Sequence, residues 1–235
     1  MRPLYFGATG RRLFGVYDAP RAGGIRRGVV LCYPIGIEYY SAHRACCGLA
    51  RHLAESGMEV LRFDYAGTGD SEGEVVDVSA PDWVANVGQA VDELKDTTGL
   101  ARVGLIGIRF GAVLAARCAE VRSDVDRLVL WDPVLESDEC MGEPGRDLHP
   151  EELLAGLRGL GAAAFGDAPP RRLVVRTASD DAGAAEPPAE QGSLASADSR
   201  VCVGPRIWEE AEDFGSGGLP VNAMRTISEW LTKTA

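Results

Sequence analysis

Short apolar runs separated by helical patterns dominate the chain. Six runs are rich in Val, Leu or Ile and bounded by Gly, Pro or Asp, at residues 27–33, 58–64, 102–108, 126–132, 171–177 and 199–205. Continuous apolar runs of this length are typical of strands buried on both faces. Residues 3–7 and 11–17, around the turn sequence GATG, add two shorter strand candidates. The pattern therefore predicts an opening hairpin followed by six buried strands.

Segments with helical spacing lie between these runs, at residues 41–56, 81–96, 110–121 and 220–232. Alternation of strand and helix implies right-handed crossovers and a mainly parallel sheet covered on both sides. We therefore expect the α/β class, with a doubly wound sheet. Ligand sites in this architecture lie beyond the carboxyl ends of the strands.

Two stretches interrupt the alternation. Residues 136–170 carry Gly, Pro and acidic residues with one short helical patch from Glu151 to Leu160, which we interpret as a small lid inserted between two strands. Residues 178–198 are rich in Ala, Ser, Pro and acids, which predicts an exposed loop or a poor helix. With 235 residues and no visible repeat, residues 1–235 are expected to form a single domain with 136–170 as its insertion.

Composition narrows the classes of partner. The 35 acidic residues exceed the 24 basic ones and give a formal net charge of −11, so the basic footprint of a nucleic-acid-binding protein is missing. No apolar stretch approaches a membrane span, and the N-terminus lacks the order of a signal peptide, which predicts a cytoplasmic protein. The six cysteines form no C-x-x-C pair and have no His at ligand spacing, so we expect neither a metal nor another cofactor.

The sharpest local signal is Gly107-Ile108-Arg109-Phe110-Gly111, where the strand at 102–108 meets the helix at 110–121. Glycines two residues before and two residues after a central position allow a strained turn that projects one side chain from the top of the sheet. This is the geometry of a nucleophile elbow. Here the projecting residue is Arg109 rather than serine.

Two further motifs accompany the elbow. The sequence from Asp64 to Ser71 has the form D-x-x-G-x-G-x-S and follows the strand at 58–64, and Tyr33-Pro34-Ile35-Gly36 follows the strand at 27–33. In this order the three motifs resemble those of the α/β-hydrolase superfamily, which places an oxyanion loop where Tyr33–Gly36 stands. An Arg at the elbow together with the Pro-x-x-x-Glu segment from Pro34 to Glu38 further resembles the exosortase-associated hydrolase-like branch. That resemblance implies an α/β-hydrolase fold and a role in a biosynthetic pathway.

The chemistry of a serine hydrolase does not fit the residues at these positions. A guanidinium with a pKa above about 12 can neither attack a carbonyl nor accept a proton. The triad order in this fold is nucleophile, acid, then His, yet no His follows His149. Asp180 or Asp181 could supply the acid, but Gly204 to Trp208 occupies the region of the base. The sequence therefore predicts a hydrolase-like protein with an atypical triad.

A different set of residues gathers at the same edge of the sheet. Glu38, Tyr39, Tyr40 and His43 lead into a helix whose expected N-cap is Ser41, so they should flank the crevice. A cation at a crowded elbow is costly unless it is paired, and Glu38 or Asp132 is the expected counter-charge. We therefore name four candidate catalytic residues: Arg109, Glu38, His43 and Asp132.

The same edge offers substrate-binding groups. The backbone N–H of Phe110, together with that of Ile35 or Gly36, could form an anion-binding pair at the helix start. Aromatic walls could come from Tyr39, Tyr40, Phe110 and Trp208. The candidate binding residues are thus Ile35, Gly36, Tyr39, Tyr40, Phe110 and Trp208.

Three functions stay open at this point. The preferred one is a hydrolase-fold enzyme that acts on a small or acyl-type substrate by non-covalent acid–base or electrostatic catalysis, with Arg109 as substrate anchor. The second is a catalytically inactive binding or scaffolding protein in which Arg109 is a salt-bridged plug, because one fold serves many functions. The third is a hydrolase or thioesterase with a non-standard nucleophile such as a cysteine. The pattern leaves a homodimer open.

Overall fold

An eight-stranded sheet forms the centre of the molecule. The computed structural model describes residues 1–21, 25–147, 149–162, 165, 169, 171–179, 194–208 and 218–233. The strands are β1 (Arg2–Phe6), β2 (Leu13–Asp18), β3 (Gly28–Cys32), β4 (Glu59–Phe63), β5 (Val103–Ile108), β6 (Val125–Trp131), β7 (Arg171–Ala178) and β8 (Asp198–Val203). Their order in the sheet is β1-β2-β4-β3-β5-β6-β7-β8. The β1–β2 hairpin joins β4 in antiparallel fashion, and every pair from β4 onwards is parallel.

Helices cover both faces of the sheet. The helices are α1 (Ile37–Glu55), α2 (Ala80–Thr98), α3 (Gly111–Glu120), α4 (Ser137–Asp147), α5 (Glu151–Ala162) and α6 (Val221–Thr232). α1 packs with α6, and α2 packs with α3. α4 and α5 lie between β6 and β7 in the chain and contact α1 and α2 respectively, so they span the top of the sheet from one helical layer to the other.

The predicted fold class is confirmed. All five residues of β3 and all six of β5 are buried, which is why their sequences show no polar alternation. The opening hairpin and the six later strands are present, and the helical patch at Glu151 to Leu160 belongs to α5. No helix in the described part of the chain is long and apolar enough to cross a membrane.

The predicted start of the first long helix is wrong. α1 begins at Ile37 with Gly36 as its N-cap, and no side chain caps it, whereas we expected a start at Ser41. Gly36 has φ +62°, a conformation that glycine adopts at little cost, so the chain can turn into the helix directly after the loop that follows β3. Ser41 is instead buried inside the helix.

The predicted loop at 178–198 is largely outside the described residues, which resume at 194. Of that stretch, β7 includes Ala178 and β8 begins at Asp198. The candidate acids Asp180 and Asp181 also lie outside the described residues.

Candidate functional site

The turn between β5 and α3 has the geometry of an elbow. Arg109 at its tip has φ 55°, a conformation that costs a non-glycine residue about 1–2 kcal/mol. Its backbone N–H donates to the Trp131 carbonyl oxygen at 3.0 Å. A Cβ on Gly107 would lie 2.3 Å from Ala112 Cα, and one on Gly111 would lie 2.3 Å from the Tyr33 carbonyl oxygen. Both glycines are therefore required by close backbone packing on either side of the tip.

The Arg109 side chain is held by three partners. Its Nε donates to Glu38 Oε1 at 2.9 Å, its Nη2 forms an ion pair with the same oxygen at 2.9 Å, and its Nη1 donates to the Asp132 carbonyl oxygen at 3.3 Å. Its Cζ lies 5.1 Å from the centroid of the Trp208 ring, within the range of a cation–π contact. The Arg109 side chain is 11% exposed and that of Glu38 is 5% exposed, so the ion pair is largely removed from water.

Burial and pairing act in opposite directions on this ion pair. Burial lowers the pKa of Arg109, but the hydrogen bond and charge of Glu38 outweigh it, so the net shift is upwards and Arg109 stays a cation. Burial raises the pKa of Glu38, and Arg109 offsets only part of that rise. Loss of the guanidinium would therefore leave a buried carboxyl group with nothing to stabilise its charged form.

Asp132 supports the elbow mainly through its backbone. It follows β6 with φ 43°, so each of two neighbouring strands is followed directly by a strained non-glycine residue. Its carboxylate accepts the Thr177 N–H at 2.9 Å and 3.1 Å and so is engaged with β7. Of the two counter-charges that the sequence predicts for Arg109, Glu38 provides the carboxylate contact, and Asp132 contributes its carbonyl oxygen.

Cys140, on α4, packs against the residues around the elbow. Burial raises the pKa of the Cys140 thiol, the nearby Glu38 carboxylate raises it further, and Arg109 and the Phe110 backbone N–H act in the opposite direction. A Cβ on Gly36 would lie 2.6 Å from the Cys140 carbonyl oxygen, so the segment between β6 and β7 packs directly against the loop after β3. The Phe110 amide, expected as half of an anion-binding pair, thus has the Cys140 thiol as a neighbour.

A cavity of about 310 Å³ lies beside this closed elbow. It is bordered by residues 34–36 of the loop after β3, by Ile37, Tyr39 and Tyr40 of α1, by Tyr65 and Gly67–Gly69 of the loop after β4, and by Val75, Trp83, Met141 and His149. Among the described residues, this lining includes the predicted binding residues Ile35, Gly36, Tyr39 and Tyr40. It does not include Arg109, Glu38, His43, Asp132, Phe110 or Trp208.

Aromatic side chains with fixed polar atoms form the walls of the cavity. The Tyr39 hydroxyl donates to Asp64 Oδ1 at 2.9 Å, and Trp83 Nε1 donates to the Ala66 carbonyl oxygen at 3.0 Å. Burial raises the pKa of Tyr39, and the Asp64 charge adds to the rise, so Tyr39 is a neutral donor near pH 7. The His149 ring lies 6.5 Å from the Trp83 ring at an edge-to-face angle of 82°. The cavity therefore combines a largely apolar surface with a few oriented polar groups, as small-molecule sites do.

His43 lies one turn further along α1, on the face that carries Tyr39. Its ring centroid is 5.8 Å from that of Tyr39, and its Nε2 is 3.5 Å from Cys47 Sγ. His43 is exposed and Cys47 is half-buried. His43 therefore pairs with a thiol rather than with Arg109 or Glu38.

Several residues of this region carry no signal in the sequence that marks them as part of a site. Cys140 and Met141 belong to the segment between β6 and β7, whose placement over the sheet depends on contacts with elements distant in the chain. His149 is visible in the sequence as a residue of the expected lid, but its place beside Trp83 is not. Tyr65 and Trp83 appear in the sequence only as residues of a turn and of a helical pattern. Among the described residues, no group of three or more His, Cys, Asp or Glu side chains is arranged to hold a metal ion.

The sequence of this chain matches one protein family. A family model described as serine aminopeptidase, S33 (Hydrolase_4) matches residues 27–180. No curated protein matches the sequence.

Solved structures resemble this one over almost its whole length. Est1E from Butyrivibrio proteoclasticus with bound ferulic acid is similar with a TM-score of 0.65 at 16% identity, over 97% of this chain and 96% of its own. An α/β serine hydrolase homologue from Coxiella burnetii gives a TM-score of 0.62 at 16% identity, over 98% and 95%. An α/β serine hydrolase without lid from Xanthomonas campestris gives 0.62 at 16% identity, over 100% and 96%. At this level of identity the likeness establishes the α/β-hydrolase fold.

Proposed function

Because this chain belongs to the Hydrolase_4 family (serine aminopeptidase, S33) but carries Arg109 at its elbow, we propose that it binds a small, largely apolar ligand without acyl-enzyme chemistry. The ligand occupies the cavity beside the loop that follows β3. The arrangement of Arg109 is the observation that supports this proposal most directly. Its guanidinium is committed to Glu38, to the Asp132 carbonyl and to Trp208, and Arg109 does not border the cavity among the described residues.

In this proposal the Arg109–Glu38 pair has a structural role. A guanidinium cannot form an ester with a substrate, and that of Arg109 is held inside the protein by Glu38 and the Asp132 carbonyl oxygen. The pair fills the position at the top of the sheet, and the cavity next to it retains the loop after β3, including Ile35 and Gly36, as one wall.

The chemistry of the cavity indicates the class of ligand. Four aromatic residues border it, namely Tyr39, Tyr40, Tyr65 and Trp83, while the polar groups are confined to a few positions such as Thr68 and His149. Flat or extended apolar ligands with one hydrogen-bonding end, such as aromatic acids or short acyl groups, suit such walls. Ferulic acid, which is bound to the structurally similar Est1E, is a suitable probe of this class.

Ligand titration with a matched pair of variants tests the binding proposal. Ferulic acid and medium-chain acyl amides would be titrated by calorimetry into the protein and into Tyr40→Ala and Tyr5→Ala. Both tyrosines are exposed, at 62% and 50%, but only Tyr40 borders the cavity. We expect Tyr40→Ala to weaken binding by about tenfold, the loss of roughly 1.4 kcal/mol of contact, and Tyr5→Ala to leave it unchanged. Equal affinities for the two variants would contradict the proposed location.

A second experiment addresses the absence of acyl-enzyme chemistry. The protein would be mixed with p-nitrophenyl esters and with a fluorophosphonate and then analysed by intact mass. We expect neither a burst of nitrophenol nor a covalent adduct. A stoichiometric adduct on a serine, threonine or cysteine would refute the proposal and favour a hydrolase or thioesterase with a non-standard nucleophile.

One observation favours a second candidate function, an enzyme that uses non-covalent acid–base catalysis in the same cavity. His149 borders the cavity, and the Tyr39 hydroxyl on the same lining is fixed by Asp64. These groups could move protons on a bound substrate. Substitutions His149→Gln and Tyr39→Phe would each lower turnover of such a substrate by about 10²-fold or more while ligand affinity changes little. Unchanged turnover in both variants would exclude this candidate.

A further inference from the structure

Three arginines gather at the edge of the sheet opposite the cavity, where the parallel strands begin. Arg27 directly precedes β3, Arg127 is the third residue of β6, and Arg171 is the first residue of β7. The parallel register pairs Arg127 with Arg171 across neighbouring strands. Like charges in directly opposite positions destabilise a sheet, so this arrangement has a cost in the protein as it stands.

Several nitrogen atoms of this arginine cluster lack an acceptor among the described residues. Arg127 is only 4% exposed, and its Nε and Nη1 have no hydrogen-bond partner in the part of the chain that the structure describes. Its nearest carboxylate contact is Asp126 Oδ2, at 4.0 Å from Nε, and that side chain is 34% exposed. Arg27 Nη1 and Arg171 Nη1 are also buried without a hydrogen-bond partner. Buried donors that lack acceptors cost about 1–3 kcal/mol each, and more when charged, which favours binding of an external acceptor.

A rigid platform holds two of the three guanidinium groups. The Cζ atoms of Arg127 and Arg171 lie 5.9 Å and 5.6 Å from the centroid of the same Trp230 ring. Trp230 Nε1 donates to Asp198 Oδ2 at 2.6 Å, which fixes the ring. The register also places Gly104 beside Arg127, where a Cβ would lie 3.3 Å from Val29 Cγ1 and 3.6 Å from Arg127 Cβ, so the backbone of β5 packs closely against the base of the Arg127 side chain.

The charges of the cluster oppose one another. Burial lowers the pKa of Arg127, and the charges of Arg27 and Arg171 lower it further. Burial also lowers the pKa of Arg27, and the charge of Arg171 adds to the effect, although Asp126 opposes it. In a chain of net charge −11, three mutually repelling cations with free donors form a local positive site.

We propose that Arg27, Arg127 and Arg171 form a binding site for a phosphate group, free or carried by a small molecule. Planar guanidinium groups match the oxygen geometry of phosphate and can donate to several of its oxygens at once. A bound dianion supplies the missing acceptors and neutralises the repulsion between the strands. This arginine cluster lies at the opposite end of the strands from the cavity. The phosphate-binding proposal is therefore independent of the proposal that the cavity binds a ligand.

Thermal unfolding and calorimetry with inorganic phosphate test this site in the full chain. Ionic strength is matched with sodium chloride, so that general screening is removed from the comparison. At about ten times its Kd, phosphate should raise the Tm of a chain of this size by about 4 °C. Adenosine monophosphate forms a second arm of the test: equal affinity indicates recognition of the phosphate alone, and tighter binding indicates a phosphate carried by a larger molecule.

Three variants decide whether the cluster is responsible. Arg127→Met should abolish the phosphate-dependent rise in Tm. In phosphate-free buffer, the Tm of this variant should be no lower than that of the wild type, because the repulsion between like charges is relieved. Arg27→Gln, at the less buried edge of the cluster, should weaken phosphate binding at least tenfold. Arg51→Met, an exposed arginine on α1, is the control and should respond as the wild type does.

Two results would overturn the proposal. One is a wild-type protein whose Tm and heats of titration in phosphate equal those in matched chloride. The other is phosphate binding of undiminished affinity in Arg27→Gln, which decides the matter even where Arg127→Met fails to fold.

Discussion

The buried ion pair at the elbow gives the sharpest prediction for this protein. Arg109→Met removes the guanidinium but keeps a long side chain in the same backbone conformation, and Glu38→Leu removes the carboxylate. Each variant leaves one charged group buried beside apolar neighbours, because the two side chains are only 11% and 5% exposed in the intact pair. Breaking a buried pair from one side costs about 3–5 kcal/mol.

Electrostatics and calorimetric scaling set the size of the expected effect. Two unit charges about 4 Å apart interact by about 4 kcal/mol at an effective dielectric constant of about 20, which agrees with that range. For a chain of this size, each kcal/mol shifts the Tm by about 2–4 °C, so each single variant should melt about 6–20 °C below the wild type. The double variant buries no charge and should recover most of the loss, because a buried pair replaced by apolar residues is often close to neutral.

The pH dependence separates this explanation from simple loss of packing. In Arg109→Met the buried Glu38 is left without its cation, so its pKa in the folded state lies further above the unfolded value. A carboxyl group with a raised folded pKa favours the folded state at low pH, and this contribution is lost as pH rises through the folded pKa. The deficit of Arg109→Met relative to wild type should therefore be smaller at pH 5 than at pH 8.

Denaturant unfolding of the wild type, both single variants and the double variant measures the coupling free energy directly. We expect a coupling of at least about 2 kcal/mol between the two sites. Additive single effects within about 0.5 kcal/mol, or an Arg109→Met deficit that does not change with pH, would refute the assignment of Arg109 as a charge-paired structural element.

Two further predictions concern the surroundings of the site. Burial acts to raise the pKa of Cys47, but the His43 imidazole, 3.5 Å from Cys47 Sγ, and nearby charges lower it below its ordinary value. Iodoacetamide at pH 7.5 should therefore modify Cys47 before the five buried thiols, and peptide mapping should show a slower reaction in His43→Ala. Modification of a buried thiol first would contradict this prediction. Gly36→Ala and Gly99→Ala both place a Cβ at positive φ, +62° and +68°, but the first Cβ meets the Cys140 carbonyl oxygen at 2.6 Å and the second meets open space. In chemical denaturation, Gly99→Ala should lower the free energy of unfolding by about 1 kcal/mol, and Gly36→Ala should lower it by at least about 2 kcal/mol more. Equal losses would show that the segment around Cys140 does not pack against Gly36.

Local patterns in the sequence predicted the framework of the fold. Buried parallel strands such as β5 are apolar at every position, and helices such as α2 repeat their apolar residues with a period of about 3.6, so both are visible without tertiary information. The elbow was also visible, because the glycines on either side of Arg109 reflect a backbone constraint that acts within five residues. The start of α1 was not, since Ser41 has the character of an N-cap but the turn at Gly36 begins the helix earlier.

The sequence by itself determined that an arginine occupies the elbow and that strands and helices alternate along the chain. Only the tertiary structure decided which carboxylate meets Arg109, that Cys140 lies beside the Phe110 amide, and that Arg127 faces Arg171 without an acceptor. The physical reason is the range of the interactions. Periodicity and turn chemistry depend on neighbours in the chain, whereas pairing, burial and free donors depend on the register between strands and on an insertion that packs against residues about 100 positions away.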